Sequence, residues 1–349
     1  MIKILHSADW HLDAPLGLSD PQQRDRLRKK LAAIPQKIAN LCKEKNCDLL
    51  LLSGDLFDGA YALDTLQSLK NALQEVAIPV FIAPGNHDFV SADSPWLTEH
   101  FPENVHIFTH PVIESVAIPH LNCRVYGAGF ISMDCPGLLA DFTAEQEETY
   151  AIGVLHGDPT QICSPYNPIT KEQIKKSGFD YLALGHIHKG DQLKAGKTLC
   201  AWPGCPMGHG YDETGEKGVL LVTLDGTASA EFISLDTPRF YDLNVPAVKG
   251  LDSVLPPVGN EDFYRITLTG PSQPLDLEKL QQDYAHFPNL VLRDNTTPPL
   301  DIWGSENDDT LEGMYFKLLK EQVQQDNELA SLSAQISRTI LNGQEVVLP

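Results

Sequence analysis

The sequence, 349 residues long, lacks the features that would mark a membrane protein, a fibre or a secreted scaffold. No apolar run approaches the roughly 18 residues needed to span a bilayer. The opening Met1-Ile2-Lys3-Ile4-Leu5-His6 is too short an apolar run for a signal peptide and has no small-residue cleavage site. Secretion is therefore not expected, and a cytoplasmic location is. Seven cysteines (42, 47, 123, 135, 163, 200 and 205) make no Cys-x-x-Cys pair. That pattern reads as reduced, mostly buried thiols and argues against a disulfide frame or a zinc knuckle. There is no internal repeat or low-complexity tract, and 42% hydrophobic with 21% charged residues excludes a disordered chain. Positive charge is scarce: 26 Lys and Arg against 47 Asp and Glu leave −21. Such a chain repels phosphate backbones at long range, which disfavours nucleic-acid binding through a basic surface. The five cations of Arg24-Asp25-Arg26-Leu27-Arg28-Lys29-Lys30 read as a solvated helix face. Acidity still permits a phosphate substrate where bound cations supply the positive charge.

What is present is enough chain for about two domains. In the first half, Ile2–Leu5, Leu49–Leu52, Val80–Ile82, Ile152–Leu155 and Tyr181–Leu184 are short, almost continuous apolar runs, as in strands buried on both faces. Between them, Gln22–Lys45 and Leu63–Val76 repeat apolar residues at helical spacing, a βαβ beginning. From Val105 onward strand-like segments predominate (105–108, 112–118, 123–126, 198–202, 219–224 and 230–235), which predicts hairpins added to or stacked on the first sheet. A boundary is expected near Asp236-Thr237-Pro238. Beyond it a small α+β module has strands at 240–245, 264–269 and 290–293 and a helix at about 275–285. After Thr296-Thr297-Pro298-Pro299, apolar positions 311, 314, 318 and 319, then 329, 332, 336 and 340, predict two helices separated by Gln324–Glu328. Their apolar faces either pack within the domain or form a protein-binding surface.

Each of the five apolar runs is followed at once by metal-binding residue types: Asp9-Trp10-His11, Gly54-Asp55-Leu56-Phe57-Asp58, Gly85-Asn86-His87-Asp88, His156-Gly157-Asp158 and Gly185-His186-Ile187-His188. The carboxyl ends of parallel strands share one edge of a sheet, where ligands bind. A single Asp after a strand is usually a cap, and His100, His106, His110, His120 and His286 read as ordinary surface or core histidines. Five segments with donors at the same relative place do not fit core packing. Asp9, His11, Asp55, Asn86, His156, His186 and His188 are too many ligands for one four-coordinate ion, and they suit two ions sharing a carboxylate. Imidazole, carboxylate and amide donors without thiolate favour Mn²⁺, Fe or Zn²⁺. His87, the surplus imidazole, is the candidate to protonate a leaving oxygen or bind a phosphoryl oxygen. His209, a loop histidine, could touch a phosphate, and Trp10 and Phe57 read as core residues.

This series resembles the calcineurin-like metallophosphoesterases over residues 1–190. Within them it is similar to the SbcD-type DNA repair exonucleases and their YhaO-type branch, through Leu5–Asp13, Ser53–Asp58, Phe179–Lys189, Trp202-Pro203-Gly204 and Glu213-Thr214-Gly215-Glu216-Lys217-Gly218. The resemblance implies an α/β (α+β) fold: a four-layer αββα metallophosphoesterase sandwich at 1–237, a small α+β capping domain at 238–299 and a helical C-terminal tail at 300–349. It implies one ion on Asp9, His11, Asp55 and His188, and a second on Asp55, Asn86, His156 and His186. Asp55 is then the bridge, and His87, with Asp58, the catalytic pair. It further implies a dinuclear, manganese-type phosphodiesterase acting on DNA as a 3′→5′ exonuclease. The enzyme would be a homodimer, with an SMC-like coiled-coil ATPase as a possible partner and no membrane. Two features depart from the pattern. Gly59-Ala60 follows Asp58 where Ser/Thr phosphatases of the family carry an Arg, and Cys205-Pro206-Met207-Gly208-His209-Gly210 stands where YhaO-type chains are basic. With the net charge, the second departure keeps a small-molecule phosphodiesterase or phosphatase, for cyclic or dinucleotide substrates, as the alternative. A non-catalytic scaffold is disfavoured because no ligand is missing.

Overall fold

The computed structural model describes residues 1–18, 20–145, 147–325 and 328–343. The chain separates into two compact units, Met1–Tyr241 and Asp242–Pro349.

The first unit is built on two six-stranded sheets. One contains β1 (Ile2–Ser7), β2 (Leu49–Leu52), β3 (Val80–Ile82), β4 (Val105–Ile107), β11 (Gly218–Asp225) and β12 (Thr227–Ser234) in the order β12-β11-β1-β2-β3-β4. Strands β1 to β4 are parallel, with Ile4 opposite Leu49 and Leu50 opposite Val80, and β11 and β12 extend the sheet antiparallel. Parallel neighbours need crossovers, here α1 (Pro21–Ala32) with α2 (Ile34–Lys45), then α3 (Leu63–Val76). The helical spacing seen in the sequence becomes one buried face on each: Leu27 and Leu31, Ile34 and Ile38, then Leu66, Leu69 and Leu73. The cations of Arg24–Lys30 lie along α1, whose core contact is made by Leu27 and Leu31.

The second sheet runs β5 (Glu114–Ile118), β6 (Cys123–Gly127), β7 (Tyr150–His156), β8 (Tyr181–Gly185), β10 (Thr198–Gly204) and β9 (Lys189–Ala195). Its central strands β6-β7-β8-β10 are parallel and its edges antiparallel. The two sheets share one core. Ile4, Leu49, Leu51 and Phe81 pack with Val125, Ile152, Val154, Tyr181 and Ala201. Because side chains alternate along a strand, Leu50 and Leu52, equally buried, face the opposite side of the first sheet. The outer face of the second sheet is covered by Phe179, Ile169 and Ile174, the last from the short helix α5 (Lys171–Lys176). Helices, sheet, sheet and a thin helical layer make the expected αββα sandwich. The short helix α4 (Pro95–Thr98) lies between β3 and β4 in sequence.

The second unit has a three-stranded sheet of β13 (Phe240–Pro246), β14 (Phe263–Pro271) and β15 (Leu290–Thr297), with α6 (Leu277–Asp283) between the parallel pair β14 and β15. A helical region follows, α7 (Leu311–Val323) and α8 (Glu328–Leu341); residues 326 and 327 of the expected polar break lie outside the described ones. Phe316, Ala330 and Ala334 are buried, and the Arg338 guanidinium stacks 3.9 Å from the centre of the Phe316 ring. Among the described residues no helix is long and apolar enough to cross a membrane. All seven cysteines are unpaired, and only Cys163 is exposed.

Candidate metal centre

Five strands of the first unit end toward one rim, and the loops that leave them are laced together by backbone bonds. Asp9 N–H donates to the Gly54 carbonyl (3.0 Å), His11 N–H to Asp55 (2.9 Å) and Leu12 N–H to Leu56 (2.9 Å), so the segments after β1 and β2 run side by side. The loop after β3 is fixed by Asp88. Its buried carboxylate accepts from the backbone N–H groups of Gly85 (2.7 Å), Leu56 (2.8 Å) and Asp55 (3.2 Å). The glycines are required by space. A Cβ on Gly85 would run into Asp55 Oδ1 and stand 2.8 Å from His156 Nδ1, and Gly54 sits at φ +92° against His156.

The seven expected donors come together. Asp9, His11, Asp55, Asn86 and His156 are buried, and His186 and His188 are half-buried. Nε2 of His11 and Nε2 of His188 are 3.0 Å apart, a spacing suited to two donors on one ion, and these atoms gather with Asp9. A second group gathers Asp9, Asp55 and His156. Around it, Asn86 Oδ1 lies 2.8 Å from His156 Nε2 and 3.2 Å from His186 Nδ1. Asp55 Oδ2 stands between the groups, 3.7 Å from His11 Nε2 and 3.4 Å from His156 Nε2, while its Oδ1 accepts from the His87 backbone N–H at 2.9 Å. The Asp9 carboxylate accepts from His186 N–H at 2.9 Å, which ties the loops after β1 and β8. Four donors, Asp9 (φ 54°), His11 (φ 45°), Asp55 (φ 52°) and His186 (φ 105°), hold backbone angles that L-residues rarely adopt.

Charges follow from this crowding. Burial pushes Asp9 above its usual range. It acts likewise on Asp55, but the imidazoles of His156 and His11 win there and lower it. Burial, then the neighbouring His156, takes His186 down to about 4. Burial and the nearby Asp55 charge raise Asp88 to about 7. The donor set is two buried carboxylates, an amide and four imidazoles in two overlapping groups, with no thiolate. It fits a pair of hard or borderline divalent ions.

His87 and Asp58 are brought together at the rim. His87 Nδ1 donates to Asp58 Oδ1 at 2.7 Å, and His11 Nδ1 donates to the same oxygen at 3.1 Å. The hydrogen bond from His11 is the main cause of the lowered Asp58 pKa. The His87 side chain is 43% exposed and borders a cavity of about 380 Å³ with Phe57, Tyr61 and Phe89, so a substrate can reach it. Trp10 and Phe57 are core residues, 0% and 1% exposed. His209 does not stand free. Its Nδ1 donates to Glu213 Oε2 at 2.9 Å, and its ring meets that of His11 edge-on, 5.6 Å between centres. Asp88 and Glu213 carry no mark of these contacts in the sequence, although both lie inside motif segments, Gly85–Asp88 and Glu213–Gly218.

The family model described as calcineurin-like phosphoesterase matches residues 2–190. An uncharacterized metallophosphoesterase, YhaO of Bacillus subtilis, is 33% identical over 245 residues, 66% of this chain and 60% of that one. The SbcD component of the nuclease SbcCD, from the same organism, is 23% identical over 268 residues, 63% of this chain and 66% of its own length. The matches thus span less than two thirds of either relative. Among solved structures, a dimetal phosphatase from Danio rerio aligns at 11% identity and a TM-score of 0.41, over 67% of this chain and 98% of its own. Through the match that begins at β1 and runs past His188, the chain belongs to the calcineurin-like phosphoesterase family, hydrolases whose fold holds a dinuclear metal centre.

Proposed function

We propose that this protein is a phosphodiesterase dependent on two divalent ions, manganese in the first place with iron or zinc as alternatives. In this reading it cleaves nucleic-acid phosphodiester bonds as a 3′→5′ exonuclease of DNA repair. The observation that carries the reading is the position of Asp55, buried between imidazoles from two other strand ends, 3.7 Å from His11 and 3.4 Å from His156. Asp9, His11, Asp55 and His188 would hold one ion, and Asp55, Asn86, His156 and His186 the other. When bound, such a pair polarises a phosphoryl oxygen and makes water a nucleophile at neutral pH. The chain's own residues do the rest. Asp58 keeps the Nδ1 proton of His87, so the Nε2 edge of that exposed ring is free to protonate the leaving oxygen. Asp9 and the loop around Asp88 hold the donors in place before any substrate arrives.

Nucleic acid as substrate is supported by the likeness to the SbcD component of the nuclease SbcCD. On the same footing we assign catalysis to residues 1–237, a capping domain to 238–299 and a helical tail to 300–349. The protein would act in the cytoplasm as a homodimer, with an SMC-like coiled-coil ATPase as partner. The net charge of −21 favours a second reading, hydrolysis of small cyclic or dinucleotide phosphodiesters, because long DNA would be repelled outside the centre. Metal-replete protein should be tested on bis-p-nitrophenyl phosphate, on cyclic and dinucleotides and on end-labelled DNA. Manganese-dependent release of mononucleotides from DNA, abolished in His87→Ala, is expected. Intact DNA beside cleaved small nucleotides would select the second reading, and no hydrolysis of any of them would defeat both.

A further inference from the structure

The imidazoles of the centre are not all backed alike. His11 donates its Nδ1 proton to Asp58, and His188 donates its own to Glu213. His156, by contrast, donates Nδ1 to a neutral backbone carbonyl, that of Ser53, at 2.9 Å. We propose that Glu213 is a positioning residue of the metal centre. By accepting a hydrogen bond from His188 Nδ1–H it fixes the tautomer and the ring plane that turn the Nε2 lone pair toward the ion shared with His11 and Asp9. This rests on the dinuclear reading given above, and it makes the His11–His188 position the tighter of the two.

Glu213 lies in the loop between β10 and β11, its side chain only 13% exposed. Oε1 accepts from His188, and Oε2 accepts from His209 Nδ1 at 2.9 Å and His209 N–H at 2.8 Å, so both carboxylate oxygens are engaged. Lys217 Nζ donates to the His188 carbonyl at 3.3 Å, holding the same residue by its backbone. An anionic acceptor behind an imidazole raises its basicity and restricts its rotation, and removing such a partner commonly costs about 10–100-fold in metal affinity.

Glu213, His188, His209 and Cys205 also lie close enough to be read as an ion site themselves. Geometry favours the positioning role: the Nδ1 of His188, the nitrogen that faces this group, is already engaged with Glu213.

The test is Mn²⁺ titration by calorimetry of the chelator-stripped chain, beside Glu213→Gln, Glu213→Ala and Glu213→Asp. The parent should bind two ions. Glu213→Gln and Glu213→Ala should keep one step unchanged and weaken the other about 10–100-fold, with Glu213→Asp recovering part of the loss. Thermal unfolding of the stripped forms separates this from a folding defect, and the near-isosteric Gln variant serves if the Ala variant fails to fold. Two unaltered steps in Glu213→Gln would overturn the proposal alone. A third ion in the parent that disappears in Glu213→Ala would do the same, by making the cluster a ligand set. A parent that takes up fewer than two ions would defeat the dinuclear reading itself.

Discussion

His6 sits on β1 beneath the metal rim, fully buried, with Nδ1 2.7 Å from the Tyr181 hydroxyl and Nε2 2.7 Å from the Ser53 hydroxyl. No acid faces it among these partners. Burial takes its pKa from 6.5 down to about 3, opposed only by a backbone contact at Leu184. Between those values the unfolded chain holds a proton that the folded chain refuses, so His6 makes stability fall as pH drops below 6.5 and leaves it unchanged above. The full difference of three and a half pH units corresponds to about 5 kcal/mol, of which about 3 kcal/mol is already lost at pH 4.5. The assay is guanidinium unfolding at pH 7, 5.5 and 4.5 in chelator, which removes the pH dependence of metal binding. Tryptophan fluorescence suits it, because Trp10, Trp96 and Trp202 belong to the first unit and only Trp303 to the second. His6→Gln lowers stability at every pH, so slopes are compared: the parent should lose about 3 kcal/mol more than the variant between pH 7 and 4.5. Parallel curves would show that His6 takes up its proton equally well in the folded core, and the reasoning from burial would be wrong.

Three further outcomes are expected. His87→Ala should lower kcat by roughly 10²–10⁴ with both ions still bound, and Asp58→Asn by about 10–100-fold, measured with bis-p-nitrophenyl phosphate. Gly85→Ala directs a methyl into Asp55 Oδ1 and His156 and, on the proposed bridging role of Asp55, should weaken Mn²⁺ uptake at least about tenfold in both steps; calorimetry reads this directly. Arg338→Ala removes the stacking on Phe316 and the hydrogen bond to Glu312 (2.6 Å), a loss of about 2 kcal/mol. In hydrogen exchange of the whole chain, amides of α7 and α8 should then open about thirtyfold more often, while those of β1 and β2 are unchanged.

The parallel core strands were legible because a strand buried on both faces must be apolar throughout, as Leu49-Leu50-Leu51-Leu52 is. The clustering of the candidate donors was legible for a related reason: with those strands parallel, residues that follow each one necessarily share an edge. The edge strand β9 gave no such signal. Lys189-Gly190-Asp191-Gln192-Leu193-Lys194-Ala195 is charged and mostly exposed, and it is held by its pairing with β10 rather than by an apolar face. Glu213 was hidden for another reason. It stands 25 residues from His188, and only the return of β11 beside β1 brings its loop to the rim. In the tail the helical period was clear, but the period does not say how much of each face is covered. Leu311, Met314 and Leu318 remain exposed while Phe316 is buried.

Backbone conformation is a further part of the site that residue types could not announce. Asp tolerates the left-handed region better than most residues, which suits Asp9 and Asp55, whereas His186 at φ 105° lies outside that well. Such angles cost of order 1–3 kcal/mol each and persist only where the surroundings over-determine them. Here the surroundings are identifiable: the Asp9–Gly54 and His11–Asp55 backbone bonds, the Asp9 carboxylate on His186 N–H, and Gly185, whose missing Cβ leaves room for the Ser53 carbonyl. The strain is therefore borne by bonds within the protein. The rest of the fold offsets the cost, because the same strands that end at the rim bury Ile4, Leu49, Leu51, Val154 and Ala183 in the core between the sheets.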